Sequence, residues 1–125
     1  MAAKAKKTQH KTAKPRTHLA ILKKPYLDAV LNGQKTIESR LYKLKTAPVG
    51  NIAPGDIIIF KQSCGPIRAF AHAGRVLQVE NPTKAELTAL YRKYDRYVMA
   101  GRNHWLAKHP LRYALLIWLK RVTPV

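Results

Sequence analysis

Gly33-Gln34-Lys35-Thr36-Ile37-Glu38-Ser39-Arg40 follows a short apolar run and gathers an amine, a hydroxyl, a carboxylate and a guanidinium in one short stretch. Glycine at position 33 suits the left-handed residue that ends a helix, and Thr36 and Ile37 favour extended backbone. A strand starting near Thr36 sends Thr36, Glu38 and Arg40 to one face and Ile37 to the other. Glu38 and Arg40 then stand about 6.6 Å apart along it, close enough for an ion pair. Lys35 falls at the strand mouth, where the turn sets its direction.

Working upstream, Thr17 to Leu22 reads as a first strand, stopped by Lys23-Lys24-Pro25. Pro25 suits the first turn of a helix, where its missing N–H costs nothing. Tyr26, Leu27, Val30 and Leu31 recur on one helical face, and Asn32-Gly33 closes it. Tyr26 could offer a ring for base stacking, although a tyrosine on such a face is more simply core.

Downstream, the motif strand runs to about Tyr42, and residues 43–55 read as a surface loop long enough to act as a flap. Pro54-Gly55-Asp56 is a turn into a buried strand, Ile57 to Phe60. Gln62 to Pro66 turns the chain into its longest strand, Ile67 to Val79. There Ala69, Ala71 and Ala73 share a face opposite Arg68, Phe70 and His72, and Gly74 invites a bulge of the kind a small barrel uses at its corners. Thr83-Lys84-Ala85-Glu86 is a capping box, followed by the helical stripe Leu87, Leu90, Tyr91 and Tyr94. Residues 95–110 show little pattern beyond a short helix around Asn103 to Lys108. Leu111 to Val122 is apolar on both faces, as a central or barrel strand requires.

This order of elements around the motif resembles the ASCH domain family, a relative of the PUA fold. Gly33-x-Lys35-Thr36-x-Glu38-x-Arg40 is similar to the family's G-x-K-x-x-E-x-R signature, and the likeness extends from about His18 to the C-terminus. The resemblance implies an α+β fold: a small PUA-like β-barrel over residues 17–125 with two or three flanking helices. A disordered basic arm, residues 1–16, precedes it. The resemblance also implies RNA or a modified nucleoside in a cleft beside the motif. Some small bacterial members remove an acetyl group from N-acetylated cytidine, using the motif lysine, a threonine three residues later and a distant glutamate. Others are described as ribonucleases. Carried onto this chain, the lysine is Lys35. The position three later is Glu38 rather than threonine, Thr36 is adjacent to the lysine, and the distant glutamate is Glu80 or Glu86.

The charge balance points the same way. The chain has 125 residues, one domain's worth, with 24 lysines and arginines against 6 acids, a formal charge of +18. Six of the basic residues lie in 1–16, which contains no acid and no large apolar residue after Met1; such a segment cannot bury a core. Such an excess fits a polyanionic partner, RNA or DNA. The lone Cys64 suits a reducing compartment and a plain loop role. No apolar run reaches the ~20 residues of a membrane span. A soluble cytoplasmic monomer is therefore expected, with no membrane partner.

Neither a metal nor a cofactor is expected, since the five histidines are scattered and no phosphate-binding glycine loop occurs. The candidate catalytic pair is Lys35 and Glu38. A lysine of lowered pKa can act as base or nucleophile, and a glutamate can move protons. The plainer alternative makes Glu38 and Arg40 a buried ion pair that fixes the barrel, with Lys35 on the surface. Candidate nucleic-acid contacts are Lys35, Thr36, Glu38, Arg40, Lys43, Lys45, Arg68, Lys23 and Lys24. Three functions follow: RNA binding through a basic cleft at the motif, hydrolysis of a modified nucleoside or of RNA, and a protein-binding adaptor.

Overall fold

A computed structural model describes residues 7–8, 14–43 and 52–125. Its elements are β1 (Lys7–Thr8), β2 (Thr17–Leu22), α1 (Lys24–Leu31), β3 (Ile37–Tyr42), β4 (Ile57–Gln62), β5 (Ile67–Glu80), α2 (Lys84–Val98), α3 (Arg102–Leu106) and β6 (Tyr113–Pro124). The main sheet runs in the order β2-β4-β5-β6-β3, with β1 alongside β5. It is an α+β fold, a curled five-strand half-barrel with three helices. The expected strands and helices are present, with ends shifted by a few residues.

Burial explains the curl. Ala69, Ala71 and Ala73 of β5 are fully buried on the concave side with Ile58 and Phe60 of β4, Leu115 and Ile117 of β6, and Leu27 and Val30 of α1. Small side chains in the middle strand let the flanking elements approach. The other face of β5 and β6, with Ile37 of β3, carries Leu77, Val79, Ala114 and Leu116 against Leu87 and Val98 of α2 and Trp105 of α3. The central strands are thus apolar on both faces because each face has its own core. The expected bulge occurs where register shifts between Ala73 and Val76, around Gly74.

The half-barrel is closed at its ends by polar contacts. Buried Asp56 accepts hydrogen bonds from the Arg16 N–H (3.0 Å), the Ala53 N–H (3.0 Å) and the His18 ring (2.8 Å), tying the start of β2 to that of β4. Burial alone would raise its pKa; the N–H donors and His18 outweigh that and hold the carboxyl below its ordinary value. At the seam, where no ladder joins the edge strands β2 and β3, Arg40 Nη2 donates to the Leu19 carbonyl at 3.2 Å. The motif arginine therefore bridges the two free edges, and the ion pair expected between Glu38 and Arg40 is replaced by this contact.

The capping box forms as read: Glu86 N–H donates to Thr83 Oγ1 at 3.1 Å, and Thr83 N–H to Glu86 Oε1 at 2.8 Å. Thr83→Ala should lower stability by about 1 kcal/mol. A thermal melt superimposable on the parent's would show that the cap does not hold the start of α2.

Of the arm, Lys7–Thr8 adds a short antiparallel strand opposite Gln78 and Leu77, on the part of β5 that extends past β4. The flap expected between residues 43 and 55 falls largely on 44–51, outside the described residues, as does Lys45. No helix among the described residues is long and apolar enough to cross a membrane.

Candidate functional site

The seam between β2 and β3 opens into a cleft of about 560 Å³. Ile21, Leu22 and Lys23 form one wall and Tyr26 of α1 stands beside them. Lys35, Glu38 and Ser39 form the opposite wall, completed by Ala100, His104 and Lys108. The motif turn is strung between three elements. Gly33 adopts φ +84° after the end of α1, Lys35 N–H donates to Ala29 O, Thr36 N–H to Tyr97 O, and Leu119 N–H to Thr36 O. Thr36 is thus bonded to α2 through its N–H and to β6 through its carbonyl, and β3 starts at the next residue, Ile37.

Lys35 is buried, 4% exposed, which removes the expectation that it lies on the surface. Its Nζ donates to the carbonyls of Val98 (2.6 Å) and Ile37 (3.2 Å) and lies 3.5 Å from Glu38 Oε1. Val98 is the last residue of α2, so the lysine sits at the negative end of that helix. Burial pushes the Lys35 pKa down, partly offset by Glu38. Burial likewise pushes Glu38 up, against the pull of Lys35 and Arg40. Each partner is thus driven towards its neutral form.

Next to this pair, Ser39 Oγ lies 2.8 Å from His104 Nε2. Burial lowers the pKa of His104, and the charges of Lys35 and Lys108 lower it further, favouring the neutral ring. Asp95 holds α3 in position: its carboxylate accepts from the N–H groups of Ala100 and Gly101 and from Trp105 Nε1 at 2.9 Å. The floor of the cleft is polar, with the Lys35–Glu38 pair beside the Ser39–His104 contact, and the rim lysines Lys23 and Lys108 are exposed.

The structure brings together Lys35, Glu38 and Lys23 of the expected residues. Thr36 and Lys43 are exposed and off the cleft lining. Lys24 and Arg68 both pair with Asp28 of α1, each within 2.9 Å, and neither lines the cleft. Arg40 closes the seam. The sequence reading missed Ser39, although it lies inside the motif, and His104, whose approach depends on contacts across 65 residues. Tyr26, weighed chiefly as core, is 39% exposed and borders the cleft. Neither glutamate considered as a distant partner reaches it, since Glu86 closes the capping box and Glu80 pairs opposite Tyr113. Among the described residues no group of three or more His, Cys, Asp or Glu could hold a metal ion.

The fold is that of solved ASCH domain structures, and here its cleft lies at the turn after the first helix. The crystal structure of ASCH from Zymomonas mobilis superposes with a TM-score of 0.64 at 18% identity, covering 85% of this chain and 68% of that one. A point mutant of the same protein gives a TM-score of 0.66 at 18% identity over 87% and 71%. A crystal structure of a hypothetical protein gives 0.53 at 20% identity over 88% and 99%. The sequence matches no protein-family model and no curated protein.

Proposed function

We propose that this chain binds RNA, with one nucleotide's base in the seam cleft and its flanking phosphates on the rim. The observation that carries this is the division of the cleft into a hydrogen-bonding polar floor (Glu38, Ser39, His104) and an exposed cationic rim (Lys23, Lys108), with an exposed tyrosine ring beside it. Single-stranded RNA is recognised by that combination: bases splayed onto aromatic rings, their edges met by hydrogen-bonding groups, and the backbone held by cations. Glu38 accepts from a base amino group when ionised and donates when protonated. The charge of +18 supports the same partner.

Binding should fall with salt at a log–log slope of about −0.7 per phosphate contact, so about −1.4 for Lys23 and Lys108 alone and steeper with the arm. Lys23→Gln with Lys108→Gln should flatten that slope by about 1.4. An unchanged slope would move the phosphates elsewhere on the surface.

Hydrolysis is the second reading, favoured by the hydroxyl–imidazole contact of Ser39 and His104 beside a lysine pushed towards its neutral amine. The deacetylation set is not assembled, because among the described residues Glu38 is the cleft's one carboxylate. RNA cleavage needs no second carboxylate. Product release from RNA and from N-acetylated cytidine, measured for the parent and His104→Ala, separates the readings. Turnover by the parent that is lost in His104→Ala makes the chain an enzyme; binding without turnover on either substrate leaves it a binder.

A further inference from the structure

A second hollow, of about 390 Å³, opens at the opposite end of the β2–β4 pair from the cleft. Pro15, Gly55, His72, Gly74, Lys120 and Arg121 line it. His72 and Lys120 are cross-strand partners, so their side chains share a face, and the ladder shifts register on both sides of them. One shift lies in β6, where Arg121 adopts φ +52°. A bulge residue in that left-handed region is ordinarily glycine, because a Cβ is strained there. The other shift lies at Gly74, where a Cβ would come within 2.7 Å of Lys120 Cε; the absence of a side chain lets the lysine stem lie across the strand. His72 Nδ1 is buried without a hydrogen-bond partner among the described residues. No ion pair joins Lys120 or Arg121 to a carboxylate among the described residues, and Asp56 below is occupied by its own donors.

Two cationic residues thus line one hollow, set there beside a pair of bulges, one of them strained, with no ion pair to a carboxylate among the described residues. Arginine has no intrinsic preference for a left-handed position, and strained residues of this kind cluster at functional sites. We propose that this hollow is a second phosphate site, which grips the backbone of an RNA strand whose base occupies the seam cleft. The parallel register of Thr17 with Ile57 through Leu22 with Gln62 puts the two sites about 17 Å apart along the strands. At the stacked-duplex spacing of about 3.4 Å per phosphate that is about five nucleotides, and fewer for an unstacked strand, so both sites lie within reach of one short RNA. The RNA itself rests on the proposed function; the phosphate site can be judged without it.

The experiment compares a dinucleotide and a decanucleotide of single-stranded RNA on the parent, Lys120→Gln and Arg121→Gly. The dinucleotide fills the cleft alone and should bind all three equally. The decanucleotide should bind each variant about tenfold more weakly, with a salt slope about 0.7 less negative. Arg121→Gly should melt no lower than the parent, and higher if strain relief dominates, so lost affinity cannot be assigned to misfolding. Unchanged decanucleotide affinity in both variants, or equal weakening for both lengths, overturns the second site. If the parent binds neither RNA, the cleft reading fails, and inorganic phosphate decides the hollow. A phosphate-induced rise in melting temperature that disappears in both variants upholds it, and no rise in the parent overturns it.

Discussion

Lys35→Met should destabilise the fold by about 3 kcal/mol at pH 8, because it leaves Glu38 buried without its cation and the Val98 carbonyl without its donor. The loss should shrink in acid. Without Lys35, burial raises the Glu38 pKa further above its ordinary value. The folded variant then holds a proton that the unfolded chain releases above about pH 4.5, so its stability declines as pH rises from there towards the raised pKa. Glu38→Gln should show the opposite slope. Its Lys35 loses the charge that opposed burial, so the folded chain sheds a proton that the unfolded chain keeps up to about pH 10.5. The stability of Glu38→Gln, relative to the parent, should therefore climb with pH over that range. Urea melts of the three proteins from pH 5 to 9 measure both slopes. Parallel curves would mean that Lys35 and Glu38 are solvated and that their burial is not what the fold imposes.

This coupling was only half legible in the sequence. The spacing of Lys35, Glu38 and Arg40 marked the stretch, and strand alternation correctly separated Glu38 from Ile37. Alternation also suggested Glu38 with Arg40, the neighbours on one face. It could not show that the edges β2 and β3 fail to pair and that Arg40 is drawn across the gap to Leu19. The local signals were reliable where the physics is local: Gly33 in the left-handed region, the Thr83–Glu86 box, the bulge at Gly74 and the buried alanines of β5. They failed where the partner is far along the chain. Residues 95–110 carry no periodicity because α3 is too short to show one, and its position is set by Asp95 and the burial of Trp105. The strained Arg121 was equally invisible, since nothing in Leu119-Lys120-Arg121-Val122 signals a left-handed residue.

Asp95→Ala should both weaken the fold and take the site apart. A five-residue helix has no stability of its own, so α3 stays in place only through tertiary contacts. Trp105 supplies the apolar contact, fully buried against Leu87 and Val98. Asp95 supplies the polar one: its carboxylate takes the N–H groups of Ala100 and Gly101 as the chain leaves α2 through Met99 at φ +61°, and it takes Trp105 Nε1 from α3 itself. Alanine would leave the indole N–H buried without an acceptor and release the turn, at a cost of about 3 kcal/mol. Asp95→Asn retains one carbonyl oxygen where Trp105 and Ala100 converge and should cost about 1 kcal/mol. His104 travels with α3, so Asp95→Ala should also separate it from Ser39 and weaken RNA binding, whereas Asp95→Asn should bind nearly as the parent does. Hydrogen exchange reads the local effect: amides of residues 102–106 should lose protection in Asp95→Ala by more than the global loss of stability explains. If exchange at α3 rises only as much as it does in the central strands, the carboxylate stabilises the fold as a whole and Trp105 alone positions His104.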